Sequence, residues 1–99
     1  MARYDVYPSP DGTGYLLDVQ TDLLHGLNTR VVAPLLPGDV APLPARVLNP
    51  IFEIDDKRHV LATQFLSAVP ASVLRNAIGN LHDRSDDITR AIDMVFQGF

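Results

Sequence analysis

Residues 85–99 read SDDITRAIDMVFQGF, and this stretch decides the fold because it is the clearest helix in a chain that otherwise alternates like β-strands. Its apolar residues recur at the i, i+3, i+4 and i+7 positions, which lie on one helix face. That stripe comprises Ile88, Ala91, Ile92 and Val95. The spacing predicts an amphipathic helix that packs one face on the rest of the protein.

Both ends of this stretch carry helix-boundary signals. Ser85 is predicted to be the N-cap, and Asp86 and Asp87 suit the positive end of the helix dipole. Asp86 and Arg90 have the i, i+4 spacing of an ion pair on the polar face. Gly98 is predicted to end the helix, because glycine readily adopts the left-handed conformation found at that position.

The last turn of this helix is apolar on more than one face. Its apolar side chains are Met94, Val95, Phe96 and Phe99. One explanation is that the helix end packs inside its own barrel. The other is that it forms an association surface, either a twofold dimer contact or a partner site. The residues alone leave both explanations open.

The sequence before the helix predicts a strand-rich body. RYDVYP (residues 3–8) and Tyr15–Gln20 alternate in polarity, and SPDGTG between them indicates a hairpin turn. RVVAPLLP (residues 30–37) predicts a short strand that stops early or lies at a sheet edge, because proline cannot donate to a ladder. Residues 37–50 hold four of the eight prolines, which predicts a long loop.

A second hairpin is predicted over residues 50–70, with its turn near Asp56 and Lys57 and its second strand beginning near His59. Residues 71–81 are ambiguous, because helical spacing of apolar side chains competes there with an interior glycine. The predicted fold class is α+β or mainly β. It is a small antiparallel barrel, or a strand-rich body, with a C-terminal helix across it.

The composition excludes several classes of protein. A chain of 99 residues with 46% hydrophobic content is expected to form one globular domain, residues 1–99. The absence of cysteine excludes disulfides, thiol catalysis and cysteine-based metal sites. The net charge of −4 argues against a nucleic-acid binder that relies on phosphate contacts. Without a bilayer-spanning apolar run or a signal-peptide pattern, a cytoplasmic protein with no membrane contact is expected.

No catalytic or metal site is predicted. Three histidines are scattered along the chain, at His25, His59 and His82. They lack the spacing of metal ligands. The acidic pair at Asp55 and Asp56 is better explained as a turn, and the pair at Asp86 and Asp87 as a helix start, than as paired catalytic carboxylates. We therefore expect a protein without cofactors that acts by binding.

Two motifs carry a resemblance to a known family. LLDVQTDLL fits the pattern L-x-D-V-Q-[ST]-D followed by two aliphatic residues, and the ending fits D-I-x-x-A-I-x-x-[MV]-F-x-G. Further collinear segments include TRVVAPLL and LNPIFEIDDKRHVLATQFLSAVPASVL. The chain therefore resembles the CcdB family, the toxins of plasmid-addiction toxin–antitoxin pairs, along nearly its whole length.

The resemblance implies a fold, partners and a mode of action. CcdB-like proteins fold as a small antiparallel SH3-like barrel with a long C-terminal helix, as PemK and MazF toxins also do, and form twofold homodimers. They poison DNA gyrase by wedging between its two A subunits and trapping the broken-DNA complex. A cognate CcdA-like antitoxin folds a disordered segment onto the toxin and removes it. The pair also represses its own operon, with the antitoxin contacting the operator DNA. None of this is enzymatic.

The resemblance also implies which residues act. The positions that match gyrase contacts are Leu23, Leu24, Asp93, Phe96, Gln97, Gly98 and Phe99. The residues expected at the dimer interface are Met94, Val95 and Phe99. The family's tail usually reads Trp-Gly-Ile, whereas this chain has Gln97, Gly98 and Phe99. The family's tryptophan is taken to stack on a gyrase arginine, so its replacement removes a cation–π contact.

Two alternatives to a gyrase poison remain at this point. A binding-competent relative could still dimerise and engage an antitoxin while being non-toxic or directed at another target. An endoribonuclease toxin of the same fold would need acid–base residues in a groove and a basic rim for phosphates. The acidic balance of the chain disfavours the second alternative.

Overall fold

The computed structural model describes residues 1–99 as a curled antiparallel β-sheet, a half-barrel, with one α-helix at its C-terminal end. The strands are β1 (Asp5–Pro8), β2 (Tyr15–Asp18), β3 (Thr29–Pro37), β4 (Ile51–Ile54), β5 (Lys57–Leu61), β6 (Ser67–Pro70) and β7 (Gly79–Asn80), and the helix is α1 (Ser85–Gln97). The strands run in the order β4-β5-β3-β2-β1-β7, and β6 pairs with β3 beside this path. The predicted fold class is confirmed.

The first hairpin forms as its turn sequence predicts. β1 and β2 pair from Val6 opposite Leu17 to Pro8 opposite Tyr15. The Asp11 carboxylate closes the turn by accepting hydrogen bonds from the Ser9 hydroxyl and the Thr13 amide, at 2.7 and 2.8 Å. A short polar side chain that bonds its own neighbours is the usual stabiliser of such a turn.

β3 is the longest strand and lies inside the sheet, so the predicted edge position of residues 30–37 is wrong. One side of β3 pairs with β2. The other side changes partner along its length: Thr29–Val32 pairs with β6 and Leu35–Pro37 pairs with β5. Pro34 lies between these two pairings, and its carbonyl accepts a hydrogen bond from the Ala62 amide at 2.9 Å. A proline is tolerated inside this sheet because it lies where the strand changes partner.

The second hairpin joins β4 to β5 through Asp55 and Asp56, which have φ angles of 56° and 62°. Two consecutive left-handed residues fit a tight primed turn, in which Asp is common. β5 begins at Lys57, two residues before the predicted start at His59. A single 3-10 turn, Thr63–Phe65, divides the predicted continuous strand into β5 and β6.

Residues 71–81 contain no α-helix. A 3-10 turn covers Ala71–Val73, Asn76 adopts a left-handed φ of 61°, and β7 pairs with β1. The left-handed residue interrupts the helical path, so the apolar spacing of this segment does not produce a helix.

The main core fills one face of the sheet, where α1 covers it. Its fully buried side chains are Leu17, Leu35, Leu61 and Ile88, joined by Val6 and Ala33. Ile92 packs against this core, so the helical stripe predicted from the sequence is confirmed at its first three positions. A smaller cluster of Tyr7, Val32 and Leu74 fills the opposite face.

The boundaries of α1 differ from their prediction at one end. Ser85 is the first residue of α1 and the N-cap is Arg84, which makes no side-chain capping bond, because a 3-10 turn (His82–Arg84) runs directly into the helix. The expected pair between Asp86 and Arg90 does not form, and Arg84 instead bonds Asp87 at 2.8 Å. Gly98 ends α1 as predicted, with φ of 81° and its amide bonded to the Met94 carbonyl at 3.1 Å.

Two glycines of the first hairpin turn give a matched test of this packing. Gly12 and Gly14 both have left-handed φ angles, but an added Cβ at Gly12 meets open space, whereas at Gly14 it would clash with the Leu35 carbonyl of β3. We expect Gly12→Ala to lower the free energy of unfolding by about 1 to 2 kcal/mol through backbone strain alone. Gly14→Ala should cost about 1 to 3 kcal/mol more because of the clash. Urea unfolding of both variants measures the difference, and equal losses would contradict the close approach of this turn to β3.

Candidate functional site

The last turn of α1 is apolar and faces outward. Phe96 is 68% exposed and Phe99 is 83% exposed, whereas Ile88 and Ala91 in the first half of the helix are fully buried. α1 therefore packs on the core as far as Ile92 and projects beyond it with its last turn. The explanation in which the helix ends inside its own barrel is therefore wrong for this chain. The other explanation, in which the helix end is an association surface, is the one that remains.

A second exposed apolar segment lies in the connection between β2 and β3. A single 3-10 turn, Asp22–Leu24, places Leu23 outward with 88% of its surface exposed, and Leu24 and Leu27 are also exposed. No side chain of this turn is buried. Such a turn needs support from its neighbours, because one 3-10 turn has little stability of its own.

That support comes from a buried ion pair between β2 and β3. The Arg30 Nε–H donates to Asp18 Oδ2 at 2.8 Å, and Arg30 Nη2 lies 2.7 Å from the same oxygen. Both side chains are fully buried. Burial raises the pKa of Asp18, and the hydrogen bonds from Arg30 and the Gln20 amide counteract part of that rise. Removal of either partner would leave an uncompensated charge in the interior, which is strongly destabilising.

Gln20 extends this ion pair to the exposed turn. Its amide donates to Asp18 Oδ1 at 3.1 Å, its side-chain Oε1 accepts from the Val31 amide at 3.1 Å, and its Nε2 donates to the Leu24 carbonyl at 3.2 Å. One buried side chain thus joins β2, β3 and the turn. We call the group formed by Asp18, Gln20 and Arg30 the polar brace.

The remaining polar residues of the D-V-Q-T-D motif hold the start of the turn. Thr21 Oγ1 accepts a hydrogen bond from the Leu23 amide at 3.3 Å, as a capping side chain does. Asp22 Oδ1 accepts from the Arg3 amide at 2.8 Å and lies 4.0 Å from Arg30 Nη2. The motif is therefore a structural device whose effect is to present two leucines to solvent.

Sequence reasoning missed the polar brace. The motif is visible as a family pattern, but the sequence predicts no role for Asp18, Gln20 or Arg30. A signal existed, because Asp18 and Arg30 are charged residues within segments predicted to be strands of a small sheet. Charged residues of this type are almost never fully buried unless they are paired. The sequence did not show which opposite charge completes the pair.

The predicted site residues fall into two groups in the structure. Asp93, Phe96, Gln97, Gly98 and Phe99 lie together on and just after the last turn of α1, and Leu23 and Leu24 lie on the separate 3-10 turn. No hydrogen bond or ion pair joins the two groups. Of the residues expected at a dimer interface, Met94 is half-buried, and Val95 and Phe99 are exposed. Their role in contacting gyrase or a second copy stays a prediction.

The histidines do not converge. His59 is buried against the edge of the Tyr15 ring, with centroids 5.1 Å apart, and its Nδ1 lies 3.0 Å from the Lys57 carbonyl. His25 is exposed, and its Nδ1 lies 2.9 Å from the Asp22 carbonyl. His82 lies beside Tyr4 at the start of α1. No three His, Asp or Glu side chains lie close enough together to hold a metal ion.

A cleft of about 770 Å³ opens between the tips of the two hairpins, residues 9–14 and 54–59. Its charged side chains have both signs, with Lys57 and Arg58 facing Asp39 and Asp55. This mixture does not form the continuous basic rim that a phosphate backbone requires. In addition, no helix in the structure has the length and apolar character needed to cross a membrane.

Comparisons with known proteins agree with this architecture. Among solved structures, the Mycobacterium tuberculosis toxin MazF-mt6 superposes with a TM-score of 0.76 at 15% identity, covering 93% of this chain and 95% of that chain. An endoribonuclease from Mycobacterial species gives a TM-score of 0.78 at 12% identity, covering 97% of this chain and 90% of that chain. At these identities the likeness concerns the fold alone.

The family comparison is more specific than the structural one. The family model described as CcdB protein matches residues 3–98. This match includes both the motif around the polar brace and the exposed last turn of α1. Because the match covers nearly the whole sequence, the chain belongs to the CcdB family.

Proposed function

We propose that this chain is the toxin of a toxin–antitoxin module, that it binds the A subunit of DNA gyrase in the bacterial cytoplasm, and that it traps the gyrase–DNA cleavage complex. The observation that carries the proposal is the outward-facing last turn of α1 in a member of the CcdB family, with Phe96 and Phe99 uncovered. Aromatic side chains of this size are typical anchors of protein interfaces, because each buries a large apolar area when a partner closes over it.

The proposed toxin works as a twofold homodimer. Two copies bring their α1 ends together through Met94, Val95 and Phe99, so that a pair of apolar ends faces the target. Leu23 and Leu24 of each copy, held by the polar brace, extend the contact surface. Part of the apolar surface is thereby covered in the dimer, and the rest is covered when gyrase binds.

The proposed regulation also depends on binding. A cognate CcdA-like antitoxin covers the toxin and prevents it from engaging gyrase. In the complex of the two, the antitoxin contacts the operator DNA and represses the operon, since the net charge of −4 on this chain disfavours contacts with phosphates. The module would thereby maintain the replicon that carries it.

The alternative of RNA cleavage comes from one structural neighbour, which is named an endoribonuclease. In this chain the cleft between the hairpin tips carries charges of both signs, and its histidine is buried with one ring nitrogen at a backbone carbonyl. These features supply neither a basic track for RNA nor a pair of convergent acid–base groups. The exposed apolar end of α1 favours a protein target instead.

A single pair of reactions separates the possibilities. Purified protein is incubated with gyrase and supercoiled plasmid, and detergent and protease are then added to denature and digest the gyrase, while a parallel reaction contains RNA alone. We expect linear DNA in the first reaction and intact RNA in the second. Site-specific RNA cuts without linear DNA would replace the proposal by an endoribonuclease. Intact DNA and intact RNA would indicate a non-toxic or retargeted relative.

Shortening α1 at its exposed end should abolish toxicity. We expect removal of residues 97–99, or Phe99→Ala, to weaken gyrase binding by about 30- to 1,000-fold, because a buried aromatic anchor is worth ~2–4 kcal/mol. Growth after induction and affinity for the gyrase A subunit measure the effect. Leu43→Ala is the matched control, because that leucine is exposed on a distant loop. Antitoxin binding by the shortened protein should be largely retained. Growth arrest by a folded, shortened dimer would refute this placement of the site.

Restoring the family's usual tryptophan should strengthen the complex. Gln97 is exposed next to Gly98, so a larger ring fits without disturbing the core. We expect Gln97→Trp to tighten binding to the gyrase A subunit by about two- to thirtyfold, the range of a cation–π contact worth ~0.5–2 kcal/mol. Titration calorimetry measures the change. Unaltered or weaker binding would show that no arginine of the target lies within stacking distance of this position.

Breaking the polar brace should weaken gyrase binding through the two leucines that it positions. Gln20→Ala removes the bonds to the Leu24 carbonyl and the Val31 amide, so we expect roughly a tenfold loss of affinity. The same substitution should have no further effect in a Leu23→Ala, Leu24→Ala background. Gln64→Ala, which removes a different side-chain hydrogen bond, from Asn49 Nδ2 at 2.8 Å, is the control for a general loss of stability. An equal loss in both backgrounds would mean that Gln20 affects the fold generally rather than the position of this turn.

A further inference from the structure

A surface pocket of about 290 Å³ gathers three of the eight basic residues of an acidic chain. It lies where the proline-rich loop between β3 and β4 meets the first turns of α1. The residues that line it are Arg46, Val47, Pro50, Arg84, Asp87 and Arg90. We call it the arginine pocket.

One arginine of this pocket is held in place and two are free. Arg84 donates from Nε to Asp87 at 2.8 Å and from Nη1 to the Ile51 carbonyl at 3.3 Å, and its guanidinium stacks over the Phe52 ring at 4.4 Å. The side chains of Arg46 and Arg90 make no hydrogen bond or ion pair within the chain, although both are exposed in the same pocket. Each carries five N–H donors in a planar arrangement suited to a carboxylate or phosphate.

The charge of the arginine pocket contrasts with that of its surroundings. Its three arginines and one aspartate carry a net charge of +2, while the other residues include five basic and eleven acidic side chains, a net charge of −6. Nearby acidic groups include Asp83 and Asp86 around the start of α1. The excess of positive charge is therefore confined to this pocket, within an otherwise acidic chain.

We propose that the arginine pocket binds a short acidic segment of a partner polypeptide, with one carboxylate at Arg46 and another at Arg90. Arg84 contributes positive charge without moving, because its own bonds already fix it. The exposed Val47 and the half-buried Pro50 provide apolar contacts for a side chain next to these carboxylates. In the proposed function this partner is the antitoxin. Only the identity of the partner rests on the proposed function.

A peptide suits this pocket better than a nucleic acid does. A polyphosphate backbone carries charge at short, regular intervals and must follow a basic track, whereas this pocket is one isolated patch beside acidic residues. A peptide can place two carboxylates in the pocket and continue with neutral or apolar residues outside it. The apolar residues of the proline-rich loop make no favourable contact with a phosphate group, but they can contact a peptide side chain.

The pocket is separate from the exposed aromatic end of α1, although Asp93, one of the proposed gyrase contacts, follows Arg90 by only three residues on the same helix. It lies around the first turns of α1, and Phe99 follows the opposite end of a 13-residue helix, which is about 20 Å long. Occupation of the arginine pocket therefore leaves the last turn of α1 uncovered. Loss of residues 97–99 should not change binding at the pocket.

The test uses the full chain and a fluorescein-labelled synthetic peptide that contains four glutamates separated by leucine and glycine. A peptide with glutamines in place of the glutamates and a single-stranded DNA oligonucleotide are the comparison ligands, and inorganic phosphate is added as a competitor. Fluorescence anisotropy is measured with the wild type, Arg46→Gln, Arg90→Gln and the double variant. Arg58→Gln is the matched control, because it removes the same charge from an exposed arginine that also lacks a side-chain partner.

We expect Arg46→Gln and Arg90→Gln each to weaken binding of the glutamate peptide by about tenfold, since each removes charge-assisted hydrogen bonds. Arg58→Gln should change binding by less than about twofold. An equal loss with Arg58→Gln, equal binding of the glutamine peptide, or preferred binding of the oligonucleotide would overturn the proposal. Full displacement of the peptide by millimolar phosphate would show that the pocket binds small anions, and this result would also overturn the proposal.

Gyrase cleavage by the same variants separates this inference from the proposed function. Arg46→Gln should still produce linear DNA, because Arg46 lies on the loop between β3 and β4 and is not among the proposed gyrase contacts. Lost peptide binding with unchanged gyrase cleavage supports both proposals. If the wild type and the variants all produce linear DNA but the wild type does not bind the glutamate peptide, the proposed role of the arginine pocket is wrong. The proposed function is then unaffected. The absence of linear DNA with the wild type contradicts the proposed function without affecting the pocket.

Discussion

The buried ion pair between Asp18 and Arg30 is the interaction on which the leucine turn of the candidate site depends. It joins β2 to the longest strand of the sheet and fixes the residues on either side of the exposed turn. Arg30 Nη1 is buried without a hydrogen-bond partner within the chain, and a buried donor of this kind costs stability. A well-packed apolar pair is often as stable as a buried salt bridge, or more so. We infer that its value in this protein is the position it gives to Gln20, and through Gln20 to two leucines held in solvent.

The chain divides its apolar residues between folding and binding along a single helix. Ile88 and Ala91 complete the core of a small half-barrel. Phe96, in the last turn, and Phe99, just after the helix, lie outside that core. Uncovered aromatic rings are a liability for a small domain, because they promote association. In the proposed function that tendency is what brings two copies together and then engages a target. The opposite end of α1 differs, because the arginine pocket there offers charge instead of apolar area.

The sequence predicted those features that depend on local periodicity and local turn chemistry. The stripe that begins at Ile88, the cap at Gly98 and the first hairpin turn all follow from near neighbours in the chain. Some errors were local, because a 3-10 turn runs directly into α1 and displaces the N-cap predicted at Ser85. The larger errors arose where distant residues decide the outcome. The position of Pro34 inside the sheet depends on a change of partner strand, and the polar brace depends on an arginine twelve residues away from its aspartate. For the end of α1, the sequence leaves open whether the last turn is buried or exposed. Periodicity predicts which face of the helix is apolar, but it does not predict how far the core extends along the helix.

The central claim is that this protein acts through its exposed α1 end and the braced leucine turn rather than through the cleft between its hairpin tips. Amide hydrogen exchange of the whole chain, measured with and without the gyrase A subunit, tests that claim most directly. The account predicts slower exchange at residues 21–27 and 94–99 in the complex, with residues 9–14 and 55–59 unchanged. Protection of the hairpin tips with no change at residues 94–99 would contradict it.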